Sequence, residues 1–306
     1  MRKTLIFLTL FLFAATPVVA RAATPLVDVD WLKENAQRPE VVILDVRNKL
    51  GGGSKDAYLA GHIPGAVYSD YLRDGWRTKV NGVIGQLPPL EHLERLIGGL
   101  GIDNDSHVVI VAGGTSALDM GSATRVYWTL KVVGHDKVSI LDGGHRAYAA
   151  DPANSLESGW NEPEARAFNA AFRPEMIADR GAVEAFLRGD RVIVDYRPVK
   201  QYRGLAKHPA AKRKGTIPGA VNVPESRLTS ADGTFVAGGE VDSLLAELGV
   251  DAGDPQVAFC NTGHWASLGW FASSELAGNK DVKLYDGSMV DWSAHDALPI
   301  EVKAGE

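Results

Sequence analysis

A single cysteine, Cys260, serves the whole 306-residue chain. No disulfide can close within it, and no zinc site can be assembled from several thiolates. Outside the N-terminal segment there is no apolar run long enough to span a bilayer. Basic residues are outnumbered 32 to 38, which leaves a formal charge of −6, and an acidic surface argues against nucleic acid as a partner. The chain also lacks an arginine six residues after its cysteine, where Ala266 stands. A Cys-x5-Arg phosphatase loop needs that guanidinium to hold phosphate, so this absence argues against phosphatase chemistry.

What is present begins with a charged start, Met1-Arg2-Lys3, an apolar stretch over residues 5–15 too short to cross a membrane, then Pro17 and the small residues up to Ala22. This is the form of a cleavable export signal over residues 1–22, cut after Ala20 or Ala22. The mature chain is expected to be soluble and periplasmic or secreted, with no membrane contact after cleavage. Loss of Arg2, Lys3 and Arg21 takes its formal charge from −6 to −9. In an oxidising compartment a lone thiol avoids mispairing with a second one.

The remainder repeats itself. The apolar run Val41 to Leu44, closed by Asp45-Val46-Arg47, returns as Val192 to Val194 with Asp195-Tyr196-Arg197. Ile63-Pro64-Gly65-Ala66 returns as Ile217-Pro218-Gly219-Ala220, and Asp142-Gly143-Gly144 as Asp286-Gly287-Ser288. Aromatics Tyr148 and Trp292 trail the last pair. The order is kept at offsets of 150, 154 and 144 residues, so each half reads as a domain: 24–150 and 176–306, joined by a Pro-punctuated linker over 151–175. Short apolar strands alternate with helical stretches such as Leu90–Leu100 and Val241–Leu248. That alternation predicts, in each half, a parallel β-sheet flanked by helices on both faces, with sites at the carboxyl ends of strands.

Cys260 falls at such an end. The run Gln256-Val257-Ala258-Phe259 breaks into Cys260-Asn261-Thr262-Gly263-His264-Trp265, and helical spacing follows as far as Gly278. A thiol below a helix N-terminus meets unpaired backbone N–H groups and the positive end of the helix dipole, which favour the nucleophilic thiolate. The same strand in the first half, Val108 to Val111, ends in Ala112, 148 residues before Cys260. The first half has the framework without the thiol.

These features together resemble the tandem-domain rhodanese family, the thiosulfate and 3-mercaptopyruvate sulfurtransferases, across the whole mature chain. The resemblance rests on the Asp-x-Arg strand ends, Gly61-His62-Ile63-Pro64-Gly65-Ala66 with its partner at 215–220, the Asp-Gly turns and one Cys-x-x-Gly loop. It implies two tandem rhodanese-like domains, the first catalytically silent. It further implies ping-pong transfer of a sulfane sulfur through a persulfide on Cys260. The donor would be a small anion, thiosulfate or 3-mercaptopyruvate, and the acceptor a thiol or cyanide, with a thiol protein as a further candidate. No cofactor and no metal are expected.

For donor binding the resemblance points to Arg125, within Ala123-Thr124-Arg125-Val126-Tyr127-Trp128, as a guanidinium over the cleft. Asn261, Thr262, Gly263, His264 and Trp265 complete the expected site: backbone N–H groups for the persulfide anion, a Thr262 hydroxyl, His264 as a partial cation near neutral pH, and Trp265 as a wall. Asp45, Arg47, Asp195, Arg197 and His62 are read as loop-ordering, although a histidine near the His62 motif acts in catalysis in some mercaptopyruvate enzymes. The basic stretch Lys207–Lys214 is read as a solvated loop, with attraction of anionic donors as the lesser reading. The loop around Cys260 has no fixed cation at 261 or 262 and matches neither subtype, so the donor stays open. A persulfide carrier with little small-molecule turnover is the alternative, and an interaction module with an incidental cysteine is a third reading.

Overall fold

The computed structural model describes residues 23–189 and 191–303. The leader expected at residues 1–22 lies outside the described residues. Strands β1 (Leu26–Val27), β2 (Val41–Asp45) and β3 (Val67–Tyr68) precede a short hairpin, β4 (Thr78–Val80) and β5 (Val83–Gln86). Strands β6 (His107–Val111) and β7 (Val138–Leu141) complete the first half. The second half carries β8 (Ile177–Ala178), β9 (Val192–Asp195), β10 (Val221–Asn222), β11 (Gln256–Phe259) and β12 (Val282–Tyr285). Apart from the hairpin, the ladders are parallel and run β1-β7-β6-β2-β3 and β8-β12-β11-β9-β10. The two orders correspond strand for strand, so the sequence repeat is a repeat of architecture.

Each central strand feeds two cores because successive side chains leave opposite faces of a sheet. Val108 and Ile110 point into a core shared by both halves, while Val109 and Val111 enter one private to the first half. Ala258 joins the shared core, and Val257 and Phe259 a core private to the second half. Burial on both faces is what a parallel sheet with helices on each side requires.

The shared core is closed by two helices that follow corresponding strands, Ala117–Val132 and His264–Phe271. The first is capped by Ser116, whose hydroxyl accepts from the Asp119 N–H. Small residues permit close approach: a Cβ on Gly121 would lie 2.6 Å from His264 Nε2. Thr124 and Ser267 hydroxyls meet at 3.0 Å, and the Tyr127 hydroxyl donates to Glu275 at 2.8 Å.

The Asp-x-Arg pairs do order loops. Arg47 pairs with Asp45 at 2.8 Å and donates to the Gly61 carbonyl; Arg197 pairs with Asp195 at 2.5 Å and donates to the Gly215 carbonyl. Each strand end is thereby tied to its own Ile-Pro-Gly turn. His62 is fully buried, stacked on Tyr58 with Nδ1 at 2.8 Å from the Tyr58 carbonyl, and is not among the residues lining the cavity at Cys260.

Residues 151–175 are more than a spacer. His62 and Glu157 form an antiparallel bridge, as Thr216 and Glu301 do in the second half. The Glu157 carboxylate accepts from the Gly65 N–H, and the Glu301 carboxylate from the Gly219 N–H. The segment then runs along the first half, bonding Gly98, Val133 and Val132 carbonyls and burying Phe168. Its polar, Pro-rich composition suggested a linker because extended chain with satisfied backbone groups has no apolar periodicity.

Candidate active site

Cys260 sits just beyond β11, where the chain turns through 260–263 into the helix His264–Phe271. The turn is held from below. The Cys260 N–H donates to Ser288 Oγ at 3.0 Å, and the Cys260 and Asn261 carbonyls accept from Met289 and Val290 at 3.1 and 3.0 Å. Ser288 itself adopts φ of +48°, a conformation rare outside glycine, and Gly144 holds the corresponding place in the first half at +58°. Gly263 closes the turn at φ of +74°, and a Cβ there would fall 2.2 Å from Arg125 Nη1. Only glycine fits that position.

The thiol is 1% exposed and lies at a cavity of about 370 Å³ between the halves. The second half contributes Cys260, Asn261, Thr262, His264, Trp265 and His208. The first contributes Lys49, Leu50, Leu72, Arg77 and Leu118. A second cavity of about 350 Å³, under the β4–β5 hairpin, shares Leu72, Arg77, His208 and Thr262 with it. Neither half encloses the thiol alone.

Two expected roles need correction. Arg125 does not reach over the cleft. It is fully buried at the interface, 2.6 Å from Asp286 Oδ1, and donates to the Gly263 and Gly85 carbonyls, with its guanidinium over the Trp128 ring. A guanidinium committed to a carboxylate and two carbonyls holds the interface together rather than a donor. His264 is no partial cation either. Its Nε2 lies 2.8 Å from the Leu118 carbonyl, which can only accept, so Nδ1 accepts from the Tyr71 hydroxyl at 2.8 Å. Burial first, then the nearby Arg77 charge, push its pKa down to about 3. It is a neutral ring pinning the loop to the first half.

Of the other loop residues Asn261, Thr262 and Trp265 line the cavity, and Gly263 does not. Asn261 donates to Gln201 Oε1 at 2.8 Å, but its buried Oδ1 has no partner among the described residues. The buried Trp265 Nε1 has none either.

The first half shows what an occupied loop looks like. The Asp119 carboxylate accepts from the Thr115 N–H at 3.1 Å and from its hydroxyl. Burial raises the Asp119 pKa, and bonds from the Thr115, Gly113 and Gly114 N–H groups oppose that rise. A Cβ on Gly51 or Gly113 would lie 2.1 or 2.8 Å from that carboxylate. An internal carboxyl group therefore plugs the first loop. In the second half the corresponding residue is Ser267, whose hydroxyl turns back to the His264 carbonyl, and the loop stays open.

Arg77, Ser288, Lys49 and His208 are site residues that sequence reasoning missed as such. His208 lay in the basic stretch read as solvated, but that loop is pinned by Arg213, which donates to the Ser293, Leu298 and His295 carbonyls. The second appearance of the Asp-Gly turn, with serine where the first has glycine, was the one available pointer to Ser288. Arg77 precedes a hairpin with no motif, and nothing in the sequence distinguishes it.

Fold and site together define a two-domain α/β protein with a single thiol site where the domains meet. Residues 28–151 and 180–295 each match the family model for the rhodanese-like domain, and the chain belongs to the rhodanese family as a tandem-domain member of the sulfurtransferase group. It is 33% identical to the 3-mercaptopyruvate sulfurtransferase of Escherichia coli K12 over 92% of this chain and 99% of that one. It is 32% identical to the Mycolicibacterium smegmatis protein named "Putative thiosulfate sulfurtransferase" over 90% and 97%. The crystal structure of SseA from Escherichia coli, described as a 3-mercaptopyruvate sulfotransferase of rhodanese fold, superposes with a TM-score of 0.73 at 31% identity, covering 87% of this chain and 99% of that one.

Proposed function

We propose that the protein transfers a sulfane sulfur from a small anionic donor to a thiophilic acceptor by way of a persulfide on Cys260. The observation that carries this reading is the contrast between two equivalent loops: one ends in Ala112 and is filled by the Asp119 carboxylate, while the other ends in Cys260 and opens on a cavity. The Cys260 thiolate attacks the outer sulfur of the donor. With thiosulfate the S–S bond breaks and its electron pair leaves on sulfite. With 3-mercaptopyruvate the C–S bond breaks, its pair goes to carbon, and the thiol proton ends there to give pyruvate. In both cases Cys260 holds Cys–S–S⁻, an anion that backbone N–H groups of the loop would stabilise. Cyanide or a thiolate then takes the outer sulfur and restores the Cys260 thiolate. The leader-like residues 1–22 add export to this reading, and intact mass of the protein recovered from the periplasm or medium tests the cleavage.

Intact-mass measurement after incubation with each donor tests the transfer. One added sulfur on wild type and none on Cys260→Ser is expected; equal gain by both proteins, or gain by neither, refutes the persulfide. Steady-state transfer to cyanide separates the enzyme from a carrier, which loads once and stalls.

A further inference from the structure

Arg47, Arg125 and Arg197 each have an aspartate of their own. Arg77 has no carboxylate beside it among the described residues, although its Nη1 is buried and without a hydrogen-bond partner. Its guanidinium stacks on the Tyr71 ring at 5.0 Å, and Arg77 lines both the cavity at Cys260 and the second cavity under the hairpin. The hairpin that follows it is tied to the second half by the Leu87 N–H on Asp286 Oδ2 at 2.6 Å, and to its own half by the Gly85 carbonyl, which accepts from Arg125. Arg77 is therefore held in place with donor capacity to spare. Trp265 Nε1 is a second orphaned donor in the same lining. Buried polar groups are almost always bonded, and two unused donors near one nucleophile call for a ligand that brings acceptors.

The number of charges narrows that ligand. Burial, then the Arg77 and Lys207 charges, lower the His208 pKa, so both cavity histidines are neutral at pH 7. The cations lining the cavity at Cys260 are Arg77 and the exposed Lys49 at its rim; Lys79 in the second cavity and Lys207 beside His208 are exposed to solvent. Leu50, Leu72 and Leu118 make much of the remaining wall, and the Asn261 Oδ1 acceptor repels a further anionic oxygen. An apolar wall with one partly desolvated cation balances a single negative charge; a dianion would carry a larger uncompensated desolvation cost.

Building on the sulfur-transfer reading of Cys260, we propose that Arg77 grips the oxyanion of the donor, and that the cleft selects a mercapto-carboxylate monoanion over the thiosulfate dianion. The planar guanidinium takes the carboxylate oxygens and holds the donor sulfur toward Cys260.

The test compares wild type, Arg77→Met and Arg77→Lys with 3-mercaptopyruvate and thiosulfate as donors and cyanide as acceptor. Wild type is expected to favour 3-mercaptopyruvate in kcat/KM. Loss of a charge-assisted bond raises KM for that donor about 10- to 100-fold in Arg77→Met with little change in kcat, and Arg77→Lys recovers part of the loss. Pyruvate should shield Cys260 from iodoacetamide in wild type and fail to do so in Arg77→Met, which reads anion binding without turnover. Arg77→Gln serves if the methionine variant does not fold. An unchanged KM and unchanged shielding overturn the role of Arg77, and a preference for thiosulfate overturns the charge selection. Failure of wild type to gain sulfur from either donor removes the transfer reading instead, while the shielding arm still decides whether Arg77 binds a carboxylate.

Discussion

Arg125 Nη1 and Asp286 Oδ1 lie 2.6 Å apart across the domain interface, joining the helix Ala117–Val132 to the turn after β12. The pair is almost wholly buried, and its surroundings include the Gly263 carbonyl, one residue before the helix that follows the thiol loop. Its first consequence is for stability. Removing one partner leaves the other charged and unpaired in a dry interface, at a cost of about 3–5 kcal/mol. Arg125→Met is expected to lower the unfolding free energy measured in urea by that amount. Arg125→Met with Asp286→Leu should recover much of the loss, because no lone charge remains.

A second expectation concerns pH. His264 in the folded chain is held neutral, with its pKa pushed down to about 3, and burial with the Arg47 charge takes His145 to about 4. Unfolded, both titrate near 6.5. Below that value the unfolded state binds protons that the native state does not, so stability is complete above about pH 6.5 and falls as the pH drops toward the folded values. Each histidine contributes a slope of up to about 1.4 kcal/mol per pH unit. Urea midpoints between pH 6.5 and 5.5, above most carboxylate titrations, should show this decline. His264→Gln should reduce the slope by one proton, and an unchanged slope would show that His264 is not buried neutral.

The strands, the duplication and the position of Cys260 were legible because each is local. Val41 to Leu44 and Gln256 to Phe259 are continuous apolar runs, and the Asp-x-Arg and Ile-Pro-Gly signatures recur at near-constant spacing. The roles of Arg125 and His264 were not legible, since both depend on what the other domain brings: Asp286 to one, Tyr71 and Leu118 to the other. Arg77 was invisible for the same reason. Its partners are a ring six residues away and a cavity formed with the second half. Glu157 and Glu301 complete the repeat at an offset of 144 residues, but a lone glutamate in a polar stretch carries no signal until its bond to Gly65 or Gly219 is seen.

The first domain, which has Ala112 where the second has Cys260, should resist conversion by a single change. Ala112→Cys places a thiol at the equivalent strand end, yet the Asp119 carboxylate already occupies the N–H groups beyond it. A persulfide there would meet the Asp119 carboxyl group where Cys260 opens on a cavity. No added sulfur is expected on Ala112→Cys in a Cys260→Ser background, read by intact mass. Adding Asp119→Ser, which reproduces the residue found at 267, should make the new thiol accessible to iodoacetamide. Loading of the single variant at a rate near that of Cys260 would dismiss the carboxylate as the barrier.

Ser288 separates two demands that its position places on one residue. Its φ of +48° favours glycine, as Gly144 in the first half confirms at +58°, while its Oγ satisfies the buried Cys260 N–H and donates to the Tyr285 carbonyl. A serine held against its backbone preference at about 1 kcal/mol is retained for the hydroxyl. Ser288→Ala keeps the strain and loses the bonds, leaving the Cys260 N–H buried without a partner at a further cost of about 1–3 kcal/mol. Ser288→Gly loses the same bonds but relieves the strain. The glycine variant should therefore unfold at higher urea than the alanine variant, by about 1 kcal/mol, while both lose sulfur-transfer rate to a similar degree because both release the Cys260 backbone. Equal stabilities would remove the argument from strain, and undiminished transfer in both would show that the thiol loop holds its shape without this hydroxyl.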